Sequence, residues 1–287
     1  MSIIASLLTL GLKSAAYFFS GSIGLLSDAL ESVVNLVAGT FATVCLTIAN
    51  KPPDRCHQFG HGKIEYFSGG VEGLLIIGAA FGIAYASIDR IITPIELGDL
   101  GVGLLVAVIA AAVNFFTAQV MLRAAKHFDS LILEADAKHL MTDVWTSVGM
   151  VAGLGVMLLG TKSLYILDPI VAIVMSLRIV YTGIGLVRTA AENLMDGSLP
   201  ESEIKTIHEI IYKYKGYYCT LHAFRTRKSG AVRFIEFHLL TDGSMSVKLA
   251  HDLVGAIEQD IVQTIPDAKI LVHVEPFEDH PTSLTDR

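Results

Sequence analysis

The chain has 287 residues, of which 52% are hydrophobic and only 17% charged, with a formal net charge of −7. An ordinary soluble domain holds about a quarter of its residues as charged side chains, so this composition excludes a wholly water-soluble protein. The apolar residues fall in long blocks, and a block of about 18 or more reads as a bilayer span.

Six spans follow in chain order: Ile3–Phe19, Ile23–Ala49, Phe67–Ile92, Val102–Ala124, Leu131–Leu159 and Ile166–Val187. The N-terminus has no basic region leading into a short apolar stretch and cleavage site, so the first block is expected to be a span, not a signal peptide. It contains Lys13, whose long side chain is expected to snorkel towards an interface. Lys51, Arg55 and Lys63 lie between the second and third spans, Arg123 and Lys126 between the fourth and fifth, and Arg188 after the sixth. The turn Ser20–Ser22 is uncharged, and Glu96 and Asp99 offset Arg90. The positive-inside rule then places both termini in the cytoplasm. Cys45, Cys56 and Cys219 form no CxxC pair, as fits a reducing compartment for the soluble parts.

Two spans carry ionisable groups. The second holds Asp28, Glu31, Ser32 and Asn35, which share one helical face at 100° per residue. The fifth holds Glu134, Lys138, His139 and Asp143, the last two at i and i+4. A carboxylate in hydrocarbon costs roughly 2.5–3.5 kcal/mol, so these groups face the bundle interior or a watery cavity. Interhelical glue is the plain reading for Ser32. For the Glu31/Asn35 and His139/Asp143 pairs, one imidazole with two or three oxygens makes a tetrahedral site for Zn²⁺ or a looser one for Fe²⁺ or Mn²⁺. Such ligands must be deprotonated to bind metal, so metal and proton compete for one site, which is the chemical basis of antiport.

The polar loop Asn50–Glu65 contains Asp54, His57 and His61, a plausible three-ligand zinc site, with Cys56 either a fourth ligand or a bystander. The region from Pro200 onward changes character. Glu201–Tyr214 reads as an amphipathic helix, Tyr217–Arg225 and Val232–Leu240 as strands joined by a turn at Lys228-Ser229-Gly230, Ser246–Ile265 as a second helix and Ile270–Glu275 as a last strand. That α-β-β-α-β order predicts a small two-layer domain with helices on one face of a three-stranded sheet. His222, His238, His251, His273 and Glu275 are its candidate ligands, and His273 and Glu275 share a face of one strand.

Several segments together resemble the cation diffusion facilitator family: Ser20 to Asn35, Phe59-Gly-His61-Gly-Lys63-Ile-Glu65, His139-Leu-Met-Thr-Asp143, His222 to Gly230, Phe234 to Leu239 and His273-Val-Glu275-Pro. The resemblance covers nearly the whole chain. It implies a six-helix transport domain over residues 1–195 and a metallochaperone-like αββαβ cytoplasmic domain over 196–287 that binds metal and dimerises. It also implies a homodimer that exports divalent cations, zinc most often, against protons. The transport site it implies is Glu31, Asn35, His139 and Asp143. The loop site is Asp54, His57 and His61. A binuclear tail site falls on His222, His238, His251, His273 and Glu275. The second-span pair departs from the family's usual two charged or imidazole ligands, because Asn35 is neutral. Asp28, one turn before Glu31, could complete the site instead, and the single imidazole and oxygen-rich set lean towards harder ions than a two-imidazole site would, with zinc still the first expectation and Fe²⁺ or Mn²⁺ next.

The expected partners are metal ions, protons, a lipid bilayer, taken as a bacterial inner membrane, and a second copy, without nucleic acid. Metal is expected both as substrate and as a structural ligand of the cytoplasmic domain. No HExxH, nucleophile–base pair or phosphate-binding glycine loop is present, which argues against an enzyme. A non-transporting metal sensor or partner subunit is the alternative, favoured only by Asn35.

Overall fold

The computed structural model describes residues 2–94, 97–128, 131–159 and 166–279; the side chains of 2–5, 125–128, 131–136, 138, 139, 158 and 159 lie outside the description. Six long helices come first: α1 (Ser2–Ser20), α2 (Ile23–Ala49), α3 (Ile64–Ile92), α4 (Leu100–Phe128), α5 (Leu131–Gly155, extended by a 3-10 turn at Val156–Leu159) and α6 (Leu167–Leu194). Among the described residues, α2, α3, α4 and α6 are long and apolar enough to cross a membrane on composition alone. Large apolar side chains such as Phe81, Leu105, Trp145 and Val174 point outward from this bundle, as a lipid-facing surface requires. The expected loop containing Lys126 is instead a continuation of α4 to Phe128.

Backbone packing divides the chain into two units, residues 1–41 with 71–187, and residues 42–70 with 188–287. In the first unit α4 packs against α1 and α5. Ala16, Leu25, Leu104, Ala107, Met150 and Leu154 form one buried cluster, and Ile23, Ala80, Ile83, Ala172 and Ile179 another. Helices α3 and α6 approach through small residues: a Cβ on Gly73 would stand 2.8 Å from the Gly183 carbonyl oxygen, and one on Gly183 2.9 Å from that of Gly73. Asp168, fully buried at the start of α6, accepts hydrogen bonds from the backbone N–H groups of Ile23 (2.9 Å) and Gly24 (3.0 Å) and from the Ser22 hydroxyl. It thereby satisfies the orphan donors of the α2 N-terminus from another helix.

In the second unit, α7 (Glu201–Tyr212), β1 (Thr220–Ser229), β2 (Val232–Thr241), α8 (Val247–Thr264) and β3 (Ala268–Pro276) make the expected αββαβ domain. The sheet order is β1-β2-β3, with β1 antiparallel and β3 parallel to β2. Ile207, Ile210 and Ile211 of α7, Ile257 and Ile261 of α8, and Ile235, Phe237 and Leu239 of β2 form its core. Each such fully buried side chain contributes about 1.5–3 kcal/mol. The alternation along β2 leaves His238 on the opposite face. The hairpin differs from its expected position. Lys228 and Ser229 continue β1, Ser229 pairs with Val232, and the turn is Gly230-Ala231 with Gly230 at φ +60°. The left-handed conformation needs the glycine, whereas a polar Lys-Ser pair fits a strand as well as a turn.

Candidate metal centres

The ionisable groups within the bundle do not form a single row. Asp28 and Ser32 point to one side of α2. Lys13 Nζ lies 2.8 Å from Asp28 Oδ1 and donates to Ser32 Oγ at 3.0 Å, while Ser147 Oγ of α5 donates to Asp28 Oδ2 at 3.1 Å. Lys13 is 2% exposed and Asp28 6%, so the lysine does not snorkel; it is buried against a counter-ion on the next helix. Glu31 and Asn35 face instead into a cavity of about 280 Å³ that they line together with Asp143. The physical reason is helical geometry: residues three apart differ by 300°, so the 28/32 and 31/35 rows diverge by about 60°. Thr142 and Thr146 of α5, Glu72 of α3 and Arg178 of α6 also line this cavity. Glu72 and Arg178 escaped the sequence reading. Their signal was present, each being an isolated charge in an apolar span. The fifth-span groups Glu134, Lys138 and His139 lie on α5 with side chains outside the described set.

The loop after α2 folds as a series of turns around Asp54. Its Oδ1 accepts the N–H groups of Cys56 (2.8 Å) and His57 (2.6 Å). Above all the His57 N–H, and after it that of Cys56 and the two imidazoles, hold the Asp54 carboxyl below the usual carboxylate range. This places Asp54 Oδ1 3.4 Å from His57 Nδ1 and Oδ2 3.3 Å from His61 Nε2. One donor atom from each of the three residues lies within 4.8 Å of the others, a separation that a small closure would bring to the roughly 3.3–3.4 Å needed by a tetrahedral ion with bonds of about 2.0–2.1 Å. His61 Nδ1 is buried with no hydrogen-bond partner. Cys56 is exposed and stands apart from this three-residue group.

The loop is docked on the β1–β2 hairpin. The Arg227 guanidinium sits over the rings of Phe59 (5.2 Å) and Phe234 (4.3 Å), and Lys63 bonds Asp196 Oδ1 (2.9 Å) and the Leu194 carbonyl (3.2 Å). Lys63, and to a lesser extent Arg227, lower the Asp196 carboxyl below its ordinary range. Gly62 is the closest approach: a Cβ there would stand 2.5 Å from the Ser229 carbonyl oxygen. Gly62→Ala is therefore expected to lift the loop from the hairpin and weaken its zinc affinity about tenfold or more. The check is a zinc titration of the full chain, in which the component that Asp54→Ala removes should weaken and the tail component should not.

In the tail, register does what sequence spacing could not. His222 pairs with His238 across β1–β2, and His238 with His273 across β2–β3, so three imidazoles form a row on the face opposite the core. Neighbouring rings are 5.0 Å apart in both pairs. A bulge follows His222, with Ala223 in the left-handed region at φ +50°; such bulges re-aim the neighbouring side chain. Glu275, two residues along β3 on the same face, reaches all three imidazoles: Oε2 to His222 Nε2 at 3.0 Å, Oε1 to His238 Nδ1 at 2.9 Å and to His273 Nε2 at 3.3 Å. His238 Nδ1 is nonetheless buried outside hydrogen-bond geometry, as suits a ligand lone pair. His222, His238 and Glu275 bring donor atoms within 4.8 Å of one another. His251 is exposed on α8 and is not in that group.

The sequence family of the cation efflux transmembrane domain matches residues 1–195, and that of the cation efflux protein cytoplasmic domain matches 199–277. A Synechocystis sp. protein named uncharacterized transporter sll1263 is 42% identical over 279 residues, 97% of this chain and 89% of that one. The cation-efflux pump FieF of Escherichia coli is 28% identical over 273 residues, 95% of this chain and 89% of that one. The metal-bound C-terminal domain of the CzcD transporter from Thermotoga maritima is 28% identical, covering 29% of this chain and 100% of that one, with a TM-score of 0.25. The chain belongs to the cation efflux, or cation diffusion facilitator, family, as an integral membrane cation transporter with a cytoplasmic C-terminal domain.

Proposed function

We propose that this protein exports divalent transition-metal ions from the cytoplasm in exchange for protons, with zinc the first candidate substrate and iron(II) or manganese(II) next. The observation that carries this reading is the intramembrane cavity lined by Glu31, Asn35 and Asp143. Carboxylates held inside a bundle are functional by default. His139, one helical turn before Asp143 on α5, completes a set of three oxygen ligands and one imidazole. The imidazole is the group suited to trade a proton for metal near neutral pH. The tail and loop sites are read as regulatory or structural metal sites of a homodimer in a bacterial inner membrane, with both termini cytoplasmic.

Proteoliposome flux tests the reading. Metal movement should accelerate as the compartment opposite the cytoplasmic side is acidified. The same assay across Zn²⁺, Fe²⁺, Mn²⁺, Co²⁺ and Cd²⁺ ranks the substrates. Flux indifferent to the proton gradient would exclude antiport, and absence of flux for every ion would leave a sensor or partner subunit.

A further inference from the structure

Lys13 is a fixed charge that the transport chemistry does not require. Its ammonium, 2% exposed, is bound to Asp28 at 2.8 Å and to Ser32 at 3.0 Å, and Ser147 closes the other side of the Asp28 carboxylate at 3.1 Å. The same ammonium lies within electrostatic reach of Asp143 and Glu31, two of the cavity-lining residues. A buried ion pair of this kind is weak evidence for stability, since desolvating both charges offsets their attraction. Its placement next to a cation cavity gives it another use.

We propose that Lys13 sets the metal preference of the transport site by holding the Asp28 carboxylate out of the coordination sphere. The inference rests on reading the Glu31/Asn35/Asp143 cavity as the site of transport. Without Lys13, Asp28 is one turn from Glu31 and free to swing onto a bound dication. The site would then gain an anionic oxygen and move towards the hard, oxygen-rich coordination that suits Mn²⁺ over Zn²⁺. With Lys13 in place, the carboxylates of Asp28, Glu31, Glu72 and Asp143 stand against the cations Lys13 and Arg178. Among the described residues that is two more carboxylates than cations, the charge of a single dication. Lys13 is thus a positioning residue: it acts on the metal through Asp28.

The test is a double-mutant cycle read on transport KM and on the ratio of kcat/KM for Mn²⁺ over Zn²⁺ in proteoliposomes. Lys13→Met should lower KM for both ions and raise the Mn²⁺:Zn²⁺ ratio, each by about tenfold or more, while kcat falls as release slows. Asp28→Asn should do the reverse to KM, raising it by a similar factor, because the ammonium loses its partner and competes for Glu31 and Asp143. Lys13→Met/Asp28→Asn should return to within about threefold of the parent in both quantities, since the two groups act as one unit. A purely structural pair predicts lower yield or kcat with KM and the ratio unmoved, and a double variant no better than either single; that result overturns the inference. If Lys13→Met fails to insert, Asp28→Asn and the double variant decide, because KM must rise in one and return in the other. Asp143→Asn is assayed alongside. If it loses transport while the Lys13 series leaves KM unchanged, this inference alone fails. If it transports like the parent, the cavity is not the site and both readings fail.

Discussion

Asp143→Ala is expected to abolish transport while the protein still inserts and folds. Asp143 is half-buried on α5 and lines the same cavity as Glu31 and Asn35. Asn35 brings a dipole but no charge, so Glu31 and Asp143 are the two anionic groups of the proposed ligand set. A unit charge about 4 Å from a dication in a partly screened site is worth several kcal/mol, so its loss corresponds to about three orders of magnitude in occupancy. Flux should therefore fall to the rate of empty liposomes. Asp143→Asn, which keeps the shape and removes the charge, should be as inactive, which separates charge from packing. The fold should persist because other residues anchor α5: Ser147 still reaches Asp28, and Met150 and Leu154 remain in the cluster with Leu25 and Leu104. His139→Ala should behave like Asp143→Ala. Size-exclusion of the purified variants checks the fold, and unaltered zinc uptake by Asp143→Ala would remove it from the site.

The six hydrophobic blocks and the αββαβ order were legible because each is a local pattern of one periodicity. What was not legible depends on which elements meet. Lys13 looked like an interfacial lysine because nothing in its own span shows that Asp28 and Ser147, on α2 and α5, converge on it. Nothing within its own span marks the role of Asp168, because its hydrogen bonds run to residues more than 140 positions earlier. The tail histidines could be named individually, but their row depends on strand register, set across β1–β2 by the Ser229–Val232 hairpin and the bulge after His222, and across β2–β3 by a separate parallel pairing. The bulge has no sequence signature, since Ala223 is an ordinary residue in an unusual conformation. The loop site was easier, because Asp54, His57 and His61 lie within eight positions and one carboxylate organises the turn.

Glu275→Gln is expected to remove the tail metal site without unfolding the domain that carries it. Glu275 is a carboxylate in contact with all three of His222, His238 and His273, at 3.0, 2.9 and 3.3 Å. An amide of the same shape keeps the contacts but not the charge, and one of its two oxygens becomes an NH₂ that can only donate. That donor faces imidazole nitrogens and a cation, so affinity should fall by about a hundredfold or more, the upper range for disturbing a metal site. The domain should survive, because its core is built by Ile235, Phe237 and Leu239 on the other face of β2 and by Ile257 and Ile261 of α8 packed against them. The consequence reaches assembly. If metal binds the dimeric tail in preference to the separated one, a concentration 100 times Kd stabilises that state by about 2.7 kcal/mol. The parent protein should therefore show a dimer dissociation midpoint that rises with added zinc, and Glu275→Gln should show one that does not. Isothermal titration of the full-length protein in detergent, with Asp54→Ala present to silence the loop, measures the first effect, and dilution-dependent light scattering the second. A Glu275→Gln protein that still binds with the parent affinity would place the metal on imidazoles alone. A midpoint that climbs with zinc in both proteins would place the linkage outside the tail.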